Sequence, residues 1–274
     1  VRGRARAALQ HVHVHPARPV HEGERGGGDF LKISIIQPLY LPWSGFFEMI
    51  VASDAYVAFD HVKFEPSSWQ QRNRVKGPNG PFFITVPVRK AKEDLDRICD
   101  REIEYGEPWV NKHLKSLEQC YRKTPYFGRY ISGIRILLES RFKTIADLNV
   151  ELIRLLLRFL GIEKRVIRSS ELALGNDADL GKNERLIHLM KTVGATSFYE
   201  GASGANFIDV PRFESEGLKV NFQVYDHPTY PQAHGDFVPY MSVVDLLFNC
   251  GDGALGILKS GIAVRDKLRD YRVS

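Results

Sequence analysis

The chain has 274 residues, 43% hydrophobic and 26% charged, with 38 Lys and Arg against 33 Asp and Glu. That length buries a full core in one large or two modest domains, and no apolar run approaches the ~18 residues of a membrane span. The net charge of +5 is compatible with an anionic ligand and too mild to announce a duplex-binding surface. Three widely spaced cysteines, Cys99, Cys120 and Cys250, form neither a disulfide framework nor a CxxC metal site, so a cytoplasmic setting is expected.

Residues 1–30 carry five Arg, four His and Gly26-Gly27-Gly28 without a sustained apolar period. They are expected to form a disordered basic tail, because they cannot bury enough surface to offset their ordering entropy. His11, His13 and His15 alternate, so their imidazoles would share one side of an extended chain, a spacing open to Zn or Ni. A compositionally biased upstream segment is the preferred explanation of the run. The apolar stretch of a secretory signal is missing from this region.

Regular structure is expected from Lys32. Residues 32–36 form a β-branched run ended by Gln37-Pro38, residues 42–50 a helix entered through a Pro-rich turn, and residues 55–59 a second strand. Strand, helix and strand in thirty residues make a βαβ unit, with a right-handed crossover expected. Phe82 to Val88 supplies another strand after the turn Gly77-Pro78-Asn79-Gly80. The middle is helical: 109–121, 126–138, and a clear amphipathic period through Ile145, Leu148, Leu152, Leu155, Leu156 and Phe159 that stops at Gly161. Strands at 165–167, 196–199 and 218–224 then alternate with a helix over 183–193, and a Val- and Leu-rich helix closes at 240–249. The expected architecture is α/β, a Rossmann-like and mostly parallel sheet with a helical insertion. Its segments are an N-terminal α/β part (31–105), a helical part (106–163) and a C-terminal α/β part (164–274) completing the same domain.

Polar clusters fall in loops between strands and helices, where open α/β sheets place ligands. After the first strand, Gln37, Tyr40 and Trp43 lead into a helix whose N-terminus suits an anion and whose rings suit a base or sugar. A Pro-rich packing turn is the competing explanation. Residues 67–76 combine Gln70, Gln71, Arg72, Asn73, Arg74 and Lys76 beside Trp69, offering forked grips for phosphate or carboxylate. If extended, the segment puts Gln70, Arg72, Arg74 and Lys76 on one side; a solvated charged face gives the same composition. The small residues Gly201, Ser203 and Gly204 follow a strand and can form an anion nest or a plain turn. No Walker A loop follows, and Ala205 stands where the last Gly of GxSxG belongs. The long loop 225–235 holds Tyr230, Gln232 and two candidate general bases, His227 and His234. Cys250 is read as a helix-end thiol in preference to a nucleophile.

Taken together, the strings QPLYLPWSGFFEMI, SWQQRNRVK with PNGPFFITVPV, GKNERL, GATSFYEGASG, HPTYPQ and DLLFNCG resemble the WbqC-like family, in order from Lys32 to about Gly251. Asn183 stands where Thr is usual after Gly-Lys. The resemblance implies a place in bacterial surface-polysaccharide (O-antigen) or natural-product biosynthesis and a role in glycine transfer. A weaker likeness links Trp43-Ser44-Gly45-Phe46 to the HxGH start of nucleotidylyltransferases and pantothenate synthetase-like enzymes. Trp43 and Phe46 replace the two histidines that would stabilise phosphoryl charge. The expected function is a transferase placing an acyl or aminoacyl group, glycyl among them, on an amino sugar or other small amine. In that scheme Arg72, Arg74 and Lys76 hold a small anionic, nucleotide-linked substrate, the 201–204 amides face an oxyanion, and His227 or His234 takes the proton. Aminoacyl-tRNA is a candidate donor; no cofactor or metal is specified. An ATP-using nucleotidylyltransferase or ligase and a non-catalytic nucleotide-sugar binding module are the alternatives.

Overall fold

Five short segments rich in β-branched and aromatic residues make the central sheet of the structure, a computed structural model that describes residues 31–90 and 97–262. They are β1 (Lys32–Ile36), β2 (Ala55–Ala58), β5 (Arg165–Arg168), β6 (Ser197–Glu200) and β7 (Lys219–Phe222), ordered β5-β2-β1-β6-β7 and all parallel. In register, Ile33 lies opposite Ala55 on one side and Phe198 on the other. Counting only these strands, the order is 3-2-1-4-5, the Rossmann arrangement, so the chain reverses its direction of winding between β1 and β6. The expected α/β sheet is present, and the described residues all belong to one compact unit. The tail with His11, His13 and His15, and the last twelve residues, lie outside the described residues.

Alternation along the strands assigns the two faces. Ile33, Ile35, Ala55 and Val57 point to one side, where α5 (Lys182–Thr192) delivers Leu186, Leu189 and Met190, and α6 (Val210–Glu214) delivers Phe213. Tyr56 and Ala58 point to the other, into a larger core. That core takes Phe46, Phe47 and Ile50 of α1 (Ser44–Val51) and the helical insertion of α2 (Trp109–Tyr121), α3 (Phe127–Glu139) and α4 (Ile145–Phe159). It also takes α7 (Val243–Cys250) and α8 (Ala254–Ser260). The helix α4 is capped at Thr144, whose Oγ1 accepts from the Asp147 amide at 3.2 Å, and it stops where Gly161 adopts φ +68°.

The run after the Pro-Asn turn departs from expectation. β4 (Gly80–Thr85) does not join the sheet; it pairs antiparallel with β3 (Arg72–Gly77), Arg74 opposite Phe83, as a separate hairpin. Two residues between strands permit only local antiparallel pairing, whereas each parallel neighbour needs a crossover. The final helix also starts later than 240: Ser242 caps it, and Tyr240 sits outside at φ +61°.

Candidate functional site

Open parallel sheets bind ligands beyond the carboxyl ends of their strands, beside the reversal of strand order. A cavity of about 490 Å³ lies there, reached by Ile35, Ile36 and Gln37 from the end of β1, Phe59 after β2 and Glu200 at the end of β6. Lys63 and Glu65 come from the loop after β2, and Lys182, Arg185 and Leu186 from the first turns of α5. Leu39, Val62 and Phe207 complete an apolar lining.

Glu200 is the chemical centre of this arrangement. It shares a strand face with Phe198, so its side chain turns toward α5. Burial raises its carboxyl from the ordinary range to about 7, and the only opposing influence is the Gly201 amide, which donates to Oε1 at 3.0 Å. The second oxygen has no hydrogen-bond partner among the described residues. Gly204 makes room for this side chain: a Cβ there would stand 2.1 Å from Glu200 Cγ. Lys63 and Lys182 form no ion pair among the described residues, and the Lys182 ammonium sits 5.6 Å from the centroid of the Phe207 ring. Arg185 is already engaged: its guanidinium donates to the Asp177, Ala178 and Leu180 carbonyls at 3.1, 2.8 and 3.2 Å. It therefore holds the loop before α5 against the cavity. Behind it, His61 bridges Asp177 at 2.8 Å and Ser169 at 2.7 Å.

Gln37 is oriented from outside the cavity. Its Oε1 accepts from Gln70 Nε2 at 2.9 Å, and the carbonyls of Gln70 and Pro38 both accept from Asn149 Nδ2 on α4 at 2.7 and 2.9 Å. Gln70 is thus a strut between the hairpin, the helical insertion and the site.

The residues singled out from sequence divide into three groups. Gln37 lines the cavity, while Gly201 and Gly204 position Glu200 beside it; Ser203 lies in the same 3-10 turn with its side chain exposed. A second group is consumed in holding the 225–240 loop and the hairpin. Lys76 is buried and donates to Gln232 Oε1, Gly235 O and Asp236 O; Tyr230 donates to Asp245; Asn73 donates to the Tyr40 and Leu41 carbonyls. Tyr40 is fully buried, its phenol hydrogen-bonded to His113 and its acidity suppressed by burial. With their polar atoms taken by protein partners, these side chains serve as struts of the loop and the hairpin. The third group is apart from the cavity: Arg72 and Arg74 on the outer face of the hairpin, Gln71 beside them, and Trp43 stacked on His227.

The two histidines do not meet. His234 lies against the C-terminal turn of α2, its Nε2 2.6 Å from the Cys120 carbonyl. His227 Nδ1 donates to the Pro228 carbonyl at 3.0 Å, which leaves Nε2 as the acceptor for the Ser44 hydroxyl at 3.2 Å. Desolvation lowers its pKa, which favours the neutral form. The Cys250 thiol is pushed up to about 11 by burial, which suits a packed side chain and not a nucleophile. Among the described residues, no group of three His, Cys, Asp or Glu is arranged to hold a metal ion, and no helix is long and apolar enough to cross a membrane.

Sequence reading missed Glu200, Lys63, Lys182 and Arg185 as site residues. A signal existed: Glu200 ends a strand with the parity of a core position, and Lys182 and Arg185 lie one turn apart at a helix start.

The fold and site together define a doubly wound α/β protein with a polar cavity at its switch point. The sequence pattern of the WbqC-like protein family matches residues 37–257, and the chain belongs to that family. It is similar to "Uncharacterized protein Rv1507c" of Mycobacterium tuberculosis (strain ATCC 25618 / H37Rv), 31% identical over 230 residues covering 83% of this chain and 97% of that protein. No solved structure matches it at a significant level.

Proposed function

We propose that the chain is a transferase that moves an acyl or aminoacyl group, glycyl among them, onto the amine of an amino sugar or similar small molecule in bacterial polysaccharide or natural-product biosynthesis. The reaction class follows from the family resemblance. The observation that carries the chemistry is Glu200, a half-buried carboxyl whose pKa is raised to about 7, on the wall of a cavity that also presents Lys63 and Lys182. A base with that pKa accepts a proton at neutral pH and remains acidic enough to return it. As the amine nitrogen bonds to the acyl carbon, Glu200 takes the N–H proton; as the bond to the leaving group breaks, it passes that proton on. The two ammonium groups attract an anionic substrate group and the charge developing on the acyl oxygen. Gln37, held by Gln70, orients a donor or acceptor edge.

The test is turnover by the purified chain with acyl-CoA, aminoacyl-tRNA or aminoacyl-adenylate donors and nucleotide-linked amino sugars as acceptors. We expect kcat/KM to rise with pH through about 7 and to fall about 10²- to 10⁴-fold in Glu200→Gln. Product formation by Glu200→Gln at the wild-type rate would refute the assignment.

A further inference from the structure

The outer face of the hairpin is unlike the rest of the surface. Side chains at 72 and 74 face the same way as Phe83, because Arg74 pairs with Phe83 and Arg72 with Thr85. Trp69 and Phe83 are each 45% exposed and Tyr240 is 50% exposed, a concentration of large rings in water. Trp69 and Phe83 lie with ring centroids 5.7 Å apart. The Arg72 guanidinium sits 4.5 Å from the Phe83 centroid and that of Arg74 6.0 Å from the Trp69 centroid. Arg74 also donates to the Tyr240 carbonyl at 3.2 Å, while the Tyr240 ring itself packs edge-on against Trp43 and His227. Neither arginine has an ion-pair partner among the described residues, and Arg74 Nε has no hydrogen-bond partner.

We infer that this face binds a single-stranded nucleic acid. Exposed rings that do not pack the core, alternating with arginines that no carboxylate neutralises, match a ligand that repeats a flat apolar base and a negative phosphate. A mononucleotide would occupy one ring and one cation; two rings and two cations suit consecutive nucleotides. Stacking on exposed rings and attraction to phosphate are available to every base, so recognition is expected to be sequence-tolerant. A duplex hides its base faces and is disfavoured. The inference does not depend on the transfer reaction, since it concerns another surface and its readout is binding.

The experiment is fluorescence anisotropy of a labelled 12-nucleotide single-stranded RNA with the full chain at two salt concentrations. Saturable binding is expected, with a log–log salt slope of about −1.4 for two phosphate contacts at roughly −0.7 each. Trp69→Ala and Phe83→Ala should each weaken binding at least about fivefold, and Phe83→Tyr should restore it. Arg72→Gln with Arg74→Gln should flatten the salt dependence. Both rings are surface groups, and an unchanged melting temperature confirms that each variant is folded. Absence of binding at low salt, equal affinity for UMP, or equal affinity for a duplex of the same length overturns the inference. So does sedimentation showing that the face is buried in a dimer that Trp69→Ala dissociates.

Discussion

Two carboxyl groups, Asp245 and Glu200, are both raised in pKa by burial, yet they occupy opposite situations. Asp245 accepts from Tyr121 and Tyr230, each at 2.9 Å, and the Tyr121 oxygen in turn accepts from the Lys76 amide at 2.8 Å. Its neighbourhood is closed: each donor has an acceptor, and the network ties α7 to the hairpin and the 225–240 loop. Glu200 has one backbone donor and an oxygen left open toward a cavity. The contrast separates structure from chemistry better than residue type does. A buried polar group with a full set of protein partners fixes the fold, whereas one left short of partners beside a cavity is available to a ligand.

The comparison breaks first if Asp245→Ala leaves the protein intact. That change strands two buried phenols and should cost about 3 kcal/mol in urea unfolding. Glu200→Gln should act with the opposite sign. Because the native pKa of Glu200 is raised to about 7, the folded state holds a proton that the unfolded chain has lost between about pH 4.5 and 7. Wild-type stability therefore falls as pH rises through that window. Glu200→Gln should gain about 2 kcal/mol on wild type between pH 5 and pH 8, a figure already reduced for partial exposure of the group. Equal pH dependence of the two proteins would remove Glu200 from its role. Arg185→Ala withdraws donors from three loop carbonyls and should loosen residues 177–180 by about 1–2 kcal/mol, read as faster amide exchange there. The smallest effect is a control far from either carboxyl: Thr144→Ala should cost about 1 kcal/mol by uncapping α4, without altering pH dependence.

Much of the fold is legible in the sequence because the relevant forces are local. The period through Ile145 to Phe159 and the stop at Gly161 reproduce α4 (Ile145–Phe159), and residues 109–121 coincide with α2. The strands were placed within a few residues, but their order was not readable, since pairing is decided between segments far apart in the chain. The pairing of the hairpin was unreadable for the same reason: Phe82-Phe83-Ile84 has strand composition and does lie in a strand, but composition does not say which sheet a strand joins. The site was less legible. Gln37, Gly201 and Gly204, singled out from loops after strands, fall in or beside the candidate cavity, but Lys63, Lys182 with Arg185, and Glu200 come from three distant segments that meet only in the folded chain. Lys76, Asn73 and Tyr40 are the converse case. Their chemistry suited a ligand, and burial had already assigned it to backbone carbonyls and a histidine.

The strut at Gln70 has a thermodynamic corollary. One amide group joins Gln37 in the cavity to the segment that carries Trp69 and Arg72, and Asn149 pins its carbonyl from behind. A molecule that displaces residues 69–71 changes the donor presented to Gln37, and so changes affinity in the cavity. Reciprocity then requires that a molecule in the cavity change affinity on the hairpin by the same factor. With both surfaces binding as proposed, their occupancy would to that extent be a single equilibrium, and Gln70→Ala is the variant that would uncouple it.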